Sequence, residues 1–484
     1  MKSIDPRKTS VAHDRDVPLS RKRWLGRLVA GLVWTALCSV EVPAQSAEAR
    51  FDAAAFSPKE WPGKMPPERV RELRPWMEAF VRAMRARSEG EQRLARDKLI
   101  ESMGRFVGVP EERPAYGQPI DPSQPDAKRV VSVWLAAVST QEGRWGWDQA
   151  RRLETAPGEG GKVPRLRVSE RQIRALLHSH EAGLDPEGSL LRLARQGLDY
   201  LVGAQTPSGA FGYPYDPTGP GLRQAAAAAV ERGRNQGLAM VERGWVVEDL
   251  GDGGLNFDNG MCGAVLIHGY ALTGERRYLE AALRAGHWAR PRLYSPNFNY
   301  NGFSGLLFSR LYRATSDRAW LEDARNVFEY GVMVGQLPNG RWFDQHNAKI
   351  QYHAILCAQM AEYLLALQFA KDPSIPRVEQ ALRRGLDNLA AELVTYGTNN
   401  AEEALSLLAL SFGSRVVDPA PEWATATSIA VNYVTGPLAE RLRARDVGLP
   451  EPVAAWVLWS RPSGLNRETV ELRNPLRPLD ELSP

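Results

Sequence analysis

Four stretches of the sequence hold the residue types that could do chemistry, each set among glycines and aromatics. Residues 251–259 (GDGGLNFDN) carry Asp258 and Asn259, and residues 297–302 (NFNYNG) carry Asn301. Residues 341–347 (RWFDQHN) carry Arg341, Trp342, Asp344, His346 and Asn347, with Tyr352 just beyond, and residues 398–403 (TNNAEE) carry Asn400 and Glu402. An imidazole or phenol such as His346 or Tyr352 can take a proton, and a guanidinium such as Arg341 can neutralise a carboxylate. Asp258 and Asp344 are hard oxygen donors of the kind calcium takes. Amides suit hydroxyl groups and aromatic faces suit sugar rings. Taken singly, each Asn, Asp or Gly reads equally well as a turn or cap residue. Only their convergence would make a site.

Convergence depends on the elements between these stretches. Residues 260–272 (GMCGAVLIHGYAL) are apolar nearly all round, as a buried helix requires, whereas residues 275–288 carry an apolar stripe with charges opposite. The alternation repeats: 305–314 is apolar and 317–334 striped, then 352–367 is apolar, 375–393 striped and 402–412 apolar. One more inner helix is expected at 422–434. The chemical stretches lead into the apolar helices near Asp258, Asn301, His346 and Asn400, at spacings of 43, 45 and 54 residues. A repeat of this length, pairing one buried with one surface helix, predicts an all-α fold, an (α/α) toroid of five to seven concentric helical hairpins with few or no strands. Loops leading into the inner helices of such a ring meet at one end of it.

A second repeat marks the joints. Residues 197–216 (GLDYLVGAQTPSGAFGYPYD) end a helix at Gln205 and turn through Pro207, Ser208 and Gly209; Gln141–Gly143–Trp145 and Gln336–Gly340–Trp342 follow the same grammar. Proline fixes φ and glycine permits positive φ, so the unit is a turn that closes one hairpin. Phe211, Tyr213 and Tyr215 extend beyond it at alternate positions, as an aromatic wall for a sugar ring would. Nearer the N-terminus, residues 67–106 read as one helix, 108–127 as a Pro-rich loop, 169–178 as a helix capped by Ser169, and 186–203 as its partner; an Ala-rich helix is expected over 221–240. His178-Ser-His180-Glu181 has the residue types of a metal site, but reads as a solvated helix end.

The chain has 484 residues, 43% of them hydrophobic, and a formal net charge of +4. Residues 1–49 have the form of a secretory signal: Arg21-Lys22-Arg23, an apolar run over 28–40, and small residues at Ala44, Ala47 and Ala49. Without them the body carries +1 with mixed signs, which offers no electrostatic footprint for nucleic acid. The apolar run is short for a bilayer, so a secreted or periplasmic protein with no stable membrane partner is expected. Residues 50–447 are assigned to the toroid, with 50–127 as its helical and linker part, and 448–484 to a Pro/Arg-rich tail. Beyond the leader, Cys262 and Cys357 sit in apolar segments and read as two buried free thiols.

The run YLVGAQTPSGAFGYPY followed by LNFDNGMCGAVL, with Trp342-Phe-Asp-Gln345-His346-Asn347 farther on, resembles the family 10 pectate lyases. Phe211 stands where that family has tryptophan. The resemblance implies a toroidal α-fold and calcium-assisted β-elimination from an acidic polysaccharide, with Asp258 and Asp344 near the metal. The residues themselves leave alternatives open. A glycoside hydrolase would use two carboxylates, drawn from Asp258, Asp344, Glu402 and Glu403, and a toroid that only binds glycans would use the same amides and aromatics.

Overall fold

The computed structural model describes residues 67–106, 166–184, 187–215, 230–231, 233–235, 237–248, 254–295, 297–342, 350–396 and 405–436. Within them the fold is an all-α toroid. Five helical hairpins follow one another: α3 (Leu166–Glu181) with α4 (Ser189–Ala204), α5 (Gly254–Thr273) with α6 (Arg276–Ala289), α7 (Phe298–Thr315) with α8 (Arg318–Gly331), α9 (Ile350–Ala370) with α10 (Ile375–Tyr396), and α11 (Leu405–Val416) with α12 (Pro421–Thr435). They are preceded by α1 (Pro67–Arg85) and α2 (Glu89–Phe106). The first helix of each hairpin packs on the first helix of the next, so α3, α5, α7, α9 and α11 form the inner layer. The second helices lie outside. Three two-residue strands, β1 (Tyr213–Pro214), β2 (Val241–Glu242) and β3 (Trp245–Val246), form an antiparallel sheet in the order β1-β3-β2.

The two helix types follow from their side chains. Most residues of α5 and α9 are buried around the whole circumference, whereas α6 and α8 bury one stripe, including Tyr278, Leu279 and Ala282 in the former and Trp320, Leu321 and Ala324 in the latter. Layers approach closely where a helix lacks a side chain: a Cβ on Gly260 would lie 2.4 Å from the carbonyl oxygen of Phe303. Both thiols are free and buried, as expected. Among the described residues no helix is long and apolar enough to cross a membrane.

Several boundaries differ from the sequence reading. The single helix expected over 67–106 is two, broken where Arg87 adopts φ 55°. Ser88 accepts from the backbone N–H of Gln92 and opens α2, and Ser88-Glu-Gly-Glu91 is a capping-box spacing that marked this start. Ser169 is a buried residue inside α3, which begins at Leu166, and not its cap. Helix α12, expected in the inner layer, packs on α10 and is the outer helix of its hairpin. Residues 255–259 and 298–302, read as loops, are the first turns of α5 and α7. The Gln141 turn and the 108–127 loop lie outside the described residues, as do the leader, the 448–484 tail and most of the Ala-rich helix.

The joints are built twice from the same bonds. Gln205 donates from Nε2 to the carbonyl oxygens of Gly209 (3.0 Å) and of Ala281 on α6 (2.8 Å), and its Oε1 accepts from Arg284 (3.0 Å). Gln336 donates to Gly340 (3.1 Å) and to Ala381 on α10 (2.8 Å), and accepts from Arg384 (3.1 Å). Gly209 and Gly340 have φ of 89° and 90°, which glycine alone adopts without strain. Each turn therefore fastens one outer helix to the next, α4 to α6 and α8 to α10.

Candidate functional site

The predicted site residues separate into two groups. Asn259, Asn301, Phe211, Trp342 and Arg341 are fully buried in the joints. Asn259 accepts from the backbone N–H of Phe211 (3.1 Å) and donates to the carbonyl of Ala285 on α6 (2.9 Å). Asn301 accepts from Ser295 N–H (2.7 Å) and donates to the carbonyls of Ser295 and Gly331 (2.8 Å each). Trp342 donates from its indole to Val332 O (2.9 Å), and Arg341, 1% exposed, pairs with Glu392 of α10 at 3.2 Å. The amides of Asn259 and Asn301 thus hold inner helices to outer ones, and Arg341 pairs with an outer helix. Tyr213 and Tyr215 are half-buried against Val230, Met240 and Val246, beside the small sheet. Asp344, His346, Asn347, Asn400 and Glu402 lie outside the described residues.

Asp258 and Tyr352 belong to the inner layer, and there the structure brings together residues that the sequence reading passed over. A cleft of about 710 Å³, counting the solvent at its mouth, runs between α3, α5, α7, α9 and α11. Helix α3 presents Arg171, Arg174 and His178 to it. With Arg167 these stand at i, i+4, i+7 and i+11, one stripe about 16 Å long at 1.5 Å per residue. The facing wall is apolar: Met261 and Phe303 line the cleft with Leu306 and Ile355, in one cluster with Phe257 and Tyr300, while Leu405, Leu408 and Phe412 come from α11. Helix α9 adds Gln359 and Glu362, and Tyr352 stands at the same helical spacing nearer its start.

Charges in the cleft are unevenly answered. At the N-terminal end of α3, Arg167 donates to both oxygens of Asp258 (2.6 and 2.5 Å) and stacks over the Phe257 ring at 4.1 Å. Burial works against the Arg167 charge, but the Asp258 bonds and charge outweigh it and raise its pKa. Asp258 is 0% exposed, so the carboxylate assigned to calcium has both oxygens engaged by a guanidinium. Arg174 pairs with Glu170 at 3.1 Å. Glu362 accepts from Arg310 (3.1 Å) and Arg313 (3.2 Å); burial pushes its pKa up, yet the two arginines bring it below the ordinary carboxylate value. Arg171 is exposed on the cleft wall and makes no hydrogen bond or ion pair among the described residues.

His178 corrects the reading of its segment as a solvated helix end. The ring is buried and lies 5.1 Å from that of His268, which bonds Glu181 at 2.9 Å. Burial first, then the charges of His268, Arg174 and Arg310, hold the His178 pKa well below the usual imidazole value. It is neutral at physiological pH. Among the described residues no group of three or more His, Cys, Asp or Glu side chains could hold a metal ion.

No family model matches the chain, and no curated protein matches it. Several solved structures are similar, two of them carbohydrate-active enzymes. One, a polysaccharide lyase, is 12% identical with a TM-score of 0.42, over 74% of this chain and 99% of that one. The other, a β-arabinofuranosidase of family GH127, is 14% identical with a TM-score of 0.37, over 66% of this chain and 62% of that one.

Proposed function

We propose that the protein is an exported polysaccharide lyase that cleaves an acidic polysaccharide by β-elimination in the axial cleft. The observation that carries this reading is the lining itself: three arginines against one glutamate, with an apolar and aromatic wall opposite. A uronate residue has both characters, a carboxylate on one edge and an apolar ring face. Elimination needs that carboxylate neutralised, so that the adjacent C–H becomes acidic, and a base within reach. Arg171 and Arg174 neutralise it in this reading. The neutral His178 imidazole, one turn further along the stripe, takes the proton from the carbon α to the carboxylate. The electron pair forms the new C=C bond, the bond from the β carbon to the glycosidic oxygen breaks, and the leaving oxygen collects a proton. In this reading Tyr352, near the start of α9, supplies that proton.

Hydrolysis draws less support. It needs two carboxylates, one of them kept protonated by a raised pKa. Among the described lining residues Glu362 is the one carboxylate, and its pKa is shifted down. Both Asp258 oxygens are already bonded by Arg167, and the elimination is written with no step through a metal. The test is to incubate the protein with polygalacturonate, alginate and neutral glycans, with calcium and with chelator, and follow ultraviolet absorbance with reducing ends. New absorbance with acidic glycans in chelator is expected. Reducing ends without absorbance would replace the lyase with a hydrolase, and neither signal would end the enzyme reading.

A further inference from the structure

Below Arg174 the axis of the toroid is crossed by a layer of paired charges. Arg310 of α7 bonds Glu362 of α9 and, at 3.0 Å, the carbonyl of Ala264 on α5; Arg313 bonds the second oxygen of Glu362. On the other side His268 of α5 bonds Glu181 of α3, with His178 packed against its ring. Four of the five inner helices are thereby tied together at one level. The side chains of Arg310, Arg313 and Glu362 are 14%, 14% and 12% exposed, and Arg310 and Glu362 line the cleft, so this part of the layer forms its floor, while Glu181 at the other side is 32% exposed. A polymer passing along the axis would have to break charge-assisted bonds at a partly buried site, where such bonds are hardest to replace.

We propose, building on the reading above, that the axial cleft is a dead-end pocket that receives the terminal acidic residue of a glycan, with Arg171 as the residue that selects for its carboxylate. Arg174 and Arg310 already answer a glutamate each, whereas Arg171 lines the cleft with its charge unanswered among the described residues. It is the cation whose partner is the ligand. The Arg171 position also separates selection from folding: an exposed side chain with no bond can be replaced with a stability change within about half of the single-mutation average.

Two measurements on the full chain test this. The first is binding of galacturonate, glucuronate and mannuronate against galactose, glucose and mannose, by titration calorimetry, for the native protein, Arg171→Gln and Arg171→Lys. At least one uronate should bind tenfold or more tighter than its parent hexose, Arg171→Gln should erase that ratio, and Arg171→Lys should keep part of it. Equal binding of uronates and hexoses, or a ratio unchanged in Arg171→Gln, would overturn the assignment. The second is the size of the products released from acidic polymers in the first turnovers. One small unsaturated product from the start, with polymer length falling slowly, supports the dead end; a ladder of intermediate sizes overturns it. Uronate selection that depends on Arg171 without cleavage of any polymer supports the pocket and removes the lyase.

Discussion

The turns at Gln205 and Gln336 share glutamine, proline and glycine at the same three places and differ at the other four. Gln205-Thr-Pro-Ser-Gly209-Ala210-Phe211 and Gln336-Leu-Pro-Asn-Gly340-Arg341-Trp342 make matching backbone bonds, Thr206 N–H to Ala210 O and Leu337 N–H to Arg341 O. Each also makes the same three glutamine bonds and buries an aromatic, Phe211 in the first and Trp342 in the second. The difference that changes charge is Ala210 against Arg341: the second turn adds a buried guanidinium paired with Glu392. What recurs around the ring is fastening. By that measure Arg341 is an ornament on a fastening, and the α3 stripe, for which the other inner helices have no counterpart in kind, is where function is to be sought.

The largest effect should come from filling the tighter glycine. A Cβ on Gly340 would meet the backbone oxygen of Arg384 at 2.1 Å, and on Gly209 that of Arg284 at 2.6 Å. Gly340→Val should cost about 4 kcal/mol or more in urea unfolding, since both the positive φ and the overlap oppose it, and Gly209→Val less. Arg341→Ala should cost about 3 kcal/mol by emptying a buried site and removing the Arg341–Glu392 ion pair. Replacing Arg341 and Glu392 together by apolar residues should recover most of that loss and reproduce the chemistry of the Ala210 turn. If Arg341→Ala instead leaves stability intact and abolishes activity, Arg341 belongs to a site and the comparison fails.

Gln205→Ala and Gln336→Ala should each cost about 2 kcal/mol, because each removes two buried amide-to-carbonyl bonds and the acceptor of an arginine, and by nearly equal amounts if the turns are equivalent. The smallest effect is a pH slope. His178 and His353 are buried and neutral, with pKa values depressed by burial and then by neighbouring charges, Arg341 in the case of His353. The unfolded chain then binds more protons than the native one below the ordinary imidazole pKa of about 6.5. Stability is therefore complete above that pH and falls as the pH drops toward the folded-state values. Unfolding free energies measured from pH 7 to pH 5 should decline, and His178→Gln should reduce the slope by about 1 kcal/mol per pH unit at most.

How much of this was legible in the sequence depends on what each residue faces. The hairpins showed because striped outer helices carry a phase, and the glutamine turns showed because proline and glycine fix backbone angles wherever they occur. The starts of α5 and α7 did not show. An inner helix buried on all sides carries no phase to date its first residue, so Asp258, Asn259 and Asn301 read as loop residues when they are helical. The α3 stripe was hidden for a different reason. Arg167, Arg171, Arg174 and His178 at helical spacing look the same whether they meet water or an internal cleft, and only the ring formed by the other helices decides between the two.

The central claim, that acidic glycan is handled in the axial cleft, is tested most directly by a crystal structure of the protein with a galacturonate oligosaccharide. The account predicts a sugar carboxylate within about 3 Å of the Arg171 guanidinium, and the ring face against Phe303 and Met261. Sugar bound along Tyr213 and Tyr215 beside the small sheet, with the cleft left to solvent, would contradict it.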